Sequence, residues 1–254
     1  LSDALASASE RLGSFGVRIL WYPEVGSTND VAIALAEAGE PEGCVVVAEA
    51  QSSGRGRLGR SWASPPAAGI YVSVLLRPPS AVAPLITIAA GVAVAEGIEA
   101  ATGLKAQLKW PNDVCLAGDP ARKLAGILAE SISPSTVVLG FGVNVMPAAY
   151  PSDVMPRATS IESELGRPVD RGLVLAECLV AVSARYRDLR HSRREDVIAA
   201  WRARASSMFG RRVEWDAGGT IQRGVAYDVD ADGALLVRAS GDVVRVISGE
   251  VRWI

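Results

Sequence analysis

Histidine is almost missing from this chain. His191 stands alone, in an arginine-rich stretch that reads as surface, which argues against serine–histidine–aspartate catalysis and against histidine–metal chemistry. The three cysteines, Cys44, Cys115 and Cys178, lie far apart, with neither the pairing of a disulfide framework nor zinc-ligand spacing. Such usage suits a reducing compartment, so a cytoplasmic protein is expected. The first residues show no basic start followed by an apolar core, so no secretory signal is read there. The uncharged run from Pro78 to Ala95 is rich in alanine, glycine and proline. It falls short of the ~20 strongly apolar residues of a membrane span and reads as a buried helix, with no membrane association expected. Lysine is scarce too: three residues against 23 arginines, all three between Lys105 and Lys123.

What is present describes a globular protein with a substantial core. Hydrophobic residues make up 49% of the 254 and charged residues 21%, enough for one large domain or a large one plus a small one. The net charge of -2 argues against general nucleic-acid binding, which brings a basic excess. The average hides a local asymmetry. Between Ala50 and Asn112 stand six basic residues (Arg55, Arg57, Arg60, Arg77, Lys105, Lys109) against two acids (Glu96, Glu99). A focused positive patch on an acidic body suits a small anion better than a polyanion.

Hydrophobic spacing predicts a helix over Asp3 to Leu12 and a strand over Val17 to Tyr22. Gly26-Ser-Thr-Asn-Asp30 reads as a helix start with a hydroxyl cap ahead of Val31 to Glu37. Strands are predicted at Cys44–Glu49, Ile70–Leu76 and Lys105–Trp110, with an apolar helix around Leu85 to Ala101. Lys123–Glu130 and Val137–Val145 are continuous apolar runs of the kind found inside a covered sheet. Two amphipathic helices, Arg171–Leu189 and Arg194–Ser206, follow. After Phe209-Gly210 come short strands with tight turns, at Arg212–Trp215, Ile221–Tyr227, Ala234–Arg238 and Val243–Ile247, suggesting a small barrel. The expected class is α+β, with a catalytic-sized domain followed by a small β-barrel.

Five short motifs carry chemistry. The stretch Gln51-Ser-Ser-Gly-Arg-Gly-Arg-Leu-Gly-Arg-Ser-Trp62 holds three arginines and three glycines and no acid. Glycine permits close approach to a ligand, and arginine brings a fixed fork of donors for phosphate or carboxylate. It is no Walker loop, because no Gly-Lys-Ser/Thr follows, and no Rossmann turn, because it opens no helix. Lys109-Trp-Pro-Asn-Asp113 sets an amide and a carboxylate side by side, a pair that suits either hydrated magnesium or a plain turn. Lys123-Leu-Ala-Gly126 puts a lysine at the mouth of a buried strand, and Gly140-Phe-Gly-Val-Asn144 ends in an amide suited to an adenine edge.

Taken in order with Gly26-Ser-Thr-Asn29, these motifs give a chain that closely resembles the biotin protein ligases. Those bacterial enzymes attach biotin to a lysine of biotin carboxyl carrier proteins. The resemblance runs over nearly the whole chain, including Ala158-Thr-Ser-Ile161 and the C-terminal strands. It implies a class II aminoacyl-tRNA synthetase-like mixed sheet with helices over 1–206 and an SH3-like barrel over 207–254. It implies two steps: biotin and ATP give biotinyl-5′-AMP and pyrophosphate, and a carrier lysine then takes the biotinyl group as an amide.

By the same resemblance Lys123, Arg55 and Arg57 are the catalytic residues, on the carboxylate and α-phosphate. Ser27, Thr28 and Gln51 hold the polar head of biotin, joined by Arg55, Gly56, Arg57, Lys123 and Gly126. Asn29 is open between a binding role and a helix-start role. Arg57, Arg60, Trp62, Asn112, Lys123 and Asn144 match the ATP and adenylate positions, and Asp113 is the candidate Mg2+ ligand, direct or through water. The expected partner is a biotin carboxyl carrier protein of a biotin-dependent carboxylase such as acetyl-CoA carboxylase. About 16 residues precede the first predicted strand, against roughly 60 for a helix-turn-helix domain, so no DNA binding is expected. Monomer and homodimer both stay open. The alternatives are a lipoate- or octanoate-attaching ligase of the same fold, an RNA-binding module and a non-catalytic biotin sensor.

Overall fold

The computed structural model of the chain describes residues 2–116, 121–247 and 249–254. Two short helices, α1 (Ser2–Ser7) and α2 (Ser9–Leu12), replace the single helix expected there, because Ala8 leaves helical geometry with ψ near 0°. Next come β1 (Ile19–Tyr22), α3 (Thr28–Glu37), β2 (Val45–Ala48), β3 (Gly69–Leu76) and α4 (Ile86–Thr102). Four strands complete the first sheet: β4 (Gln107–Lys109), β5 (Asp113–Leu116), β6 (Arg122–Ser133) and β7 (Thr136–Asn144). Three helices follow, α5 (Ile161–Leu165), α6 (Arg171–Arg190) and α7 (Arg194–Arg204). The chain ends in β8 (Arg212–Asp216), β9 (Ile221–Val229), β10 (Leu235–Ala239), β11 (Asp242–Val246) and β12 (Val251–Trp253).

The first sheet has the order β1-β2-β3-β7-β6-β5-β4, parallel between β1 and β2 and antiparallel elsewhere. Every residue of β2, β3 and β7 is buried, which explains their unbroken apolar, β-branched runs. One face packs on α4 and α6 through residues such as Val72, Val74, Leu139, Phe141, Ile98 and Leu179. The other face carries α3 over a smaller cluster of Ala32, Cys44, Val46, Leu75 and Val138. The stretch Ala83–Thr102 is long and apolar enough to cross a membrane, yet two-thirds of it is buried inside the protein. A helix covered on most sides needs no polar face.

The strand expected at Lys105–Trp110 is shorter, Gln107–Lys109, and β5 was not foreseen. Lys109-Trp-Pro-Asn-Asp113 is the reversal between them, with a cis Trp110–Pro111 bond and Lys109 paired to Asp113. The C-terminal strands form an antiparallel sheet ordered β11-β10-β9-β8-β12, one strand more than the sequence suggested. It is welded to the first unit. Val213, Ala226, Leu235 and Val237 belong to the same buried cluster as α4. Trp110 Nε1 donates to the Gly233 carbonyl at 2.9 Å, and Arg202 grips the Asp228 carboxylate at 2.7 Å.

Candidate active site

Strand register builds the floor of the site. Ser73 on β3 stands opposite Gly140 on β7, which stands opposite Leu128 on β6; one row along, Tyr71, Gly142 and Gly126 align in the same way. Side chains alternate along a strand, so these rows share the face that looks toward the start of α3. The glycines are required by close approach. A methyl at Gly140 would lie 2.2 Å from Asn29 Oδ1, and one at Gly142 would lie 2.5 Å from Trp62 Nε1.

Lys123 reaches this floor through a β-bulge. Val114 pairs with Ala125 and Cys115 with Lys123, so Leu124 is the extra residue on β6. In a regular strand Lys123 and Gly126, three apart, would face opposite ways; the bulge brings them together. The Lys123 main chain is fixed on its other side by the Ala158-Thr-Ser-Ile161 segment. Its N–H donates to the Arg157 carbonyl at 2.8 Å, and its carbonyl accepts from the Thr159 N–H at 2.9 Å. The ammonium lies 2.5 Å from Asp113 Oδ1 and 5.2 Å from the centre of the Trp62 ring.

The start of α3 supplies the polar wall. Ser27 is the N-cap residue and is buried, but its hydroxyl makes no capping bond, contrary to expectation, and the residue lines the pocket. The Thr28 N–H and hydroxyl both reach Gln51 Oε1, at 2.8 and 3.2 Å, and Gln51 Nε2 donates to Ser64 Oγ at 2.8 Å. Asn29 does not cap the helix either. Its amide bonds across to β3 and β6, accepting from Ser73 Oγ at 2.5 Å and donating to Glu130 Oε2 at 2.6 Å.

The arginine–glycine loop closes over the site as a small lasso, with the Trp62 N–H on the Gly54 carbonyl at 2.8 Å and the Gly56 N–H on the Arg60 carbonyl at 2.7 Å. Its three arginines differ in partners. Arg55 pairs with Asp30 at 2.8 Å and Glu130 at 2.7 Å, and Arg60 pairs with Glu250. Among the described residues Arg57 pairs with no carboxylate. It donates to Asn112 Oδ1 and to the Gly249 carbonyl, each at 3.3 Å. Burial pulls the Arg57 guanidinium below the ordinary arginine range; Asp113 opposes this and Arg60 adds to it. A half-buried cation in that position favours the arrival of an anion.

A narrow pocket of about 50 Å³ gathers Ser27, Thr28, Asn29, Gln51, Arg55, Gly56, Arg57, Trp62, Asn112, Lys123 and Gly126. Three sequence-predicted residues lie outside its lining. Arg60 lines the neighbouring open cavity of about 720 Å³. Asp113 sits against the Lys123 ammonium. Asn144 is buried, with its amide nitrogen on the Thr159 carbonyl at 3.0 Å and the Lys123 carbonyl at 3.5 Å. Asn112 likewise ties β6 down, donating to the Ile127 carbonyl at 2.8 Å. Among the described residues no group of three or more His, Cys, Asp or Glu gathers to hold a metal. The sequence reading missed Ser73, Glu130 and the Gly249–Glu250 contact. Ser73, a hydroxyl inside an apolar run, and Glu130, an acid on an apolar strand, left a faint signal; Glu250 left none.

The family model described as Biotin/lipoate A/B protein ligase family matches residues 23–144, and that of the Biotin protein ligase C terminal domain matches 208–252. The biotin--[acetyl-CoA-carboxylase] ligase of Mycobacterium tuberculosis is 38% identical over 236 residues, covering 90% of this chain and 86% of that one. The chain belongs to the biotin protein ligase family. Among its relatives, the bifunctional ligase/repressor BirA of Bacillus subtilis is 32% identical over 244 residues, 93% of this chain and 74% of that one. A solved biotin protein ligase from Aquifex aeolicus, in complex with biotin and ATP, matches with a TM-score of 0.80 at 28% identity, over 94% of this chain and 99% of that one. This membership bears out the α+β fold and the ligase reading over the lipoate and RNA-binding alternatives.

Proposed function

We infer that this biotin protein ligase activates biotin with ATP to biotinyl-5′-AMP and transfers the biotinyl group to a lysine of a biotin carboxyl carrier protein. The observation that carries the reading is the meeting, over a glycine floor, of the Lys123 ammonium and the Arg57 guanidinium, which has no carboxylate partner among the described residues, beside Ser27 and the Thr28–Gln51 pair. We place the catalytic unit at 1–206 and the C-terminal unit at 207–254, with the change from helix to strand between Arg204 and Arg212.

Biotin has a polar ureido head, an apolar tail and a carboxylate. The head goes to Ser27, Thr28 and Gln51, and the tail runs past the main chain at Gly56 and Gly126; Trp62, the residue matched to the adenylate, lines the same pocket and borders the tail as well. The carboxylate then points to Lys123, Arg55 and Arg57. Step one brings two anions together: a carboxylate oxygen bonds to the α-phosphorus while the bond to pyrophosphate breaks. Catalysis is therefore chiefly positioning and charge neutralisation by these three cations. Arg60, Asn112 and Asn144 serve the nucleotide end, with Asn144 fixed by its nitrogen on the Thr159 and Lys123 carbonyls. Asp113 is the residue that would hold a magnesium ion arriving with ATP, and the ion would supply neutralisation of phosphate charge. An ion that takes most of its ligands from phosphate and water fits the single carboxylate of Asp113. In step two the carrier amine attacks the acyl carbon and AMP leaves.

The test is biotin-dependent ATP–pyrophosphate exchange, followed by labelling of a carrier domain, with lipoate and octanoate run beside biotin. Exchange with biotin that Lys123→Ala abolishes is expected. Exchange with lipoate and none with biotin would overturn the reading.

A further inference from the structure

Resting on that function, we propose that Glu130 is a positioning residue for adenylation: through Asn29 and Ser73 it ties the end of the pocket that takes the ureido head to Arg55. Glu130 lies on β6, and its Oε2 accepts from Asn29 Nδ2 at 2.6 Å and from Arg55 Nη2 at 2.7 Å. Asn29 Oδ1 accepts from Ser73 Oγ at 2.5 Å, and Ser73 Oγ lies 2.8 Å from Thr28 Oγ1, which reaches Gln51. A carboxylate accepts only, and so does Asn29 Oδ1; the amide orientation of Asn29 and the hydroxyl proton of Ser73 are thereby dictated. Ser73 and Asn29 are almost wholly buried. With the Ser73 proton on Asn29 Oδ1, the Thr28 hydroxyl has one proton for either Ser73 Oγ or Gln51 Oε1, and the buried segment from Glu130 through Asn29 to Ser73 is the stiff part of the chain.

Three oddities of the sequence converge on this one chain. Ser73 interrupts an apolar strand, Gly140 has no side chain where any Cβ would strike Asn29 Oδ1 at 2.2 Å, and an acid stands on apolar β6. Packing alone asks for none of the three. The terminus of the chain gives it purpose, because Arg55 lines both the narrow pocket and the open cavity beside it. Asp30 holds the same guanidinium from a more exposed position, so Glu130 is the arm rooted in the sheet. The position of Arg55 against the reacting carboxylate and phosphate is thus set from the far side of the pocket.

The experiment is a double-mutant cycle of Glu130→Gln and Arg55→Ala, read by biotin-dependent ATP–pyrophosphate exchange with kcat and KM separated. Glu130→Gln keeps the shape and an acceptor for Asn29 and removes the charge that holds Arg55. In the wild-type background it should lower kcat about tenfold or more, with KM for biotin within about twofold and the melting temperature within about 2 °C. In the Arg55→Ala background it should change kcat by less than about twofold, since its route of action is gone. Glu130→Asp, which keeps the charge, should recover part of the loss. Unchanged kcat for Glu130→Gln, or an equal fall in both backgrounds, overturns the proposal. Wild-type protein run alongside separates the two failures: no biotin-dependent exchange there overturns the proposed function itself.

Discussion

Gly142→Ala puts a single methyl group against the indole of Trp62, and the structure allows its effect to be sized. The new Cβ would sit 2.5 Å from Nε1, 2.6 Å from Cε2 and 3.0 Å from Cζ2, where ordinary contact starts at 3.4 Å. The clash involves a rigid ring, so the indole must retreat by roughly 1 Å, a displacement that can lower rates by about 100-fold when it misplaces a reacting group. Trp62 lies over Lys123 and beside Gly126, so its retreat opens the wall that the biotin tail and the ammonium share. Overpacking should reduce stability by about 1–3 kcal/mol. In exchange assays kcat/KM for biotin should fall by about 10- to 100-fold, equivalent to roughly 1.4–2.7 kcal/mol. Gly91→Ala is the control, because its methyl meets only Leu108 Cδ2, at an ordinary 3.6 Å, inside α4. Urea unfolding and exchange kinetics on both variants make the comparison. Wild-type kcat/KM in Gly142→Ala, with stability unchanged, would refute the idea that the glycine floor exists to seat the indole.

Three further outcomes are expected. Glu250→Gln should release Arg60 and leave stability within about 0.5 kcal/mol, since the pair is exposed, while limited trypsin digestion at Arg55 to Arg60 speeds up; unchanged digestion would show that the C-terminal unit does not hold the lasso. The three thiols are buried and burial pushes each one upward, Cys115 to about 12. A thiol reagent at pH 8 should therefore find no reactive cysteine until denaturant is added, and fast labelling of the folded protein would contradict this. Paired hydrogen bonds from Arg11, at 2.7 Å each, hold the Glu177 carboxyl below its ordinary range. A carboxyl lowered on folding contributes stability in full above its unfolded pKa and loses it as pH falls through the folded value. Arg11→Ala should thus reduce the urea midpoint at pH 7 and narrow its difference from wild type in acid, and an equal difference at both pH values would disprove the linkage.

Much of the architecture was legible because it rests on local signals. β-branched runs marked β2, β3 and β7, and helical spacing marked α4, α6 and α7. The short strands β5 and β12 were not, since each is defined by its partner rather than by its own pattern. The bulge at Leu124 was invisible for the same reason: it exists only in the pairing of β6 with β5, and no residue type announces it. Ser27 looked like a cap, and the chemistry of its side chain fits one, yet its hydroxyl makes no capping bond and the residue lines the pocket.

By itself the sequence determined the chemical inventory and the family, because short motifs in a fixed order carry both. The resemblance set Arg60 apart from Arg55 and Arg57, but nothing in the primary structure told which of the three loop arginines would be neutralised by a carboxylate. Only the tertiary structure did so. Asp30 and Glu130 neutralise Arg55 and Glu250 neutralises Arg60, while Arg57 is left half-buried without a carboxylate among the described residues. The physical reason is distance along the chain: Glu130 is 75 residues from Arg55 and Glu250 is 190 from Arg60, and charges so far apart meet only when the sheets are assembled.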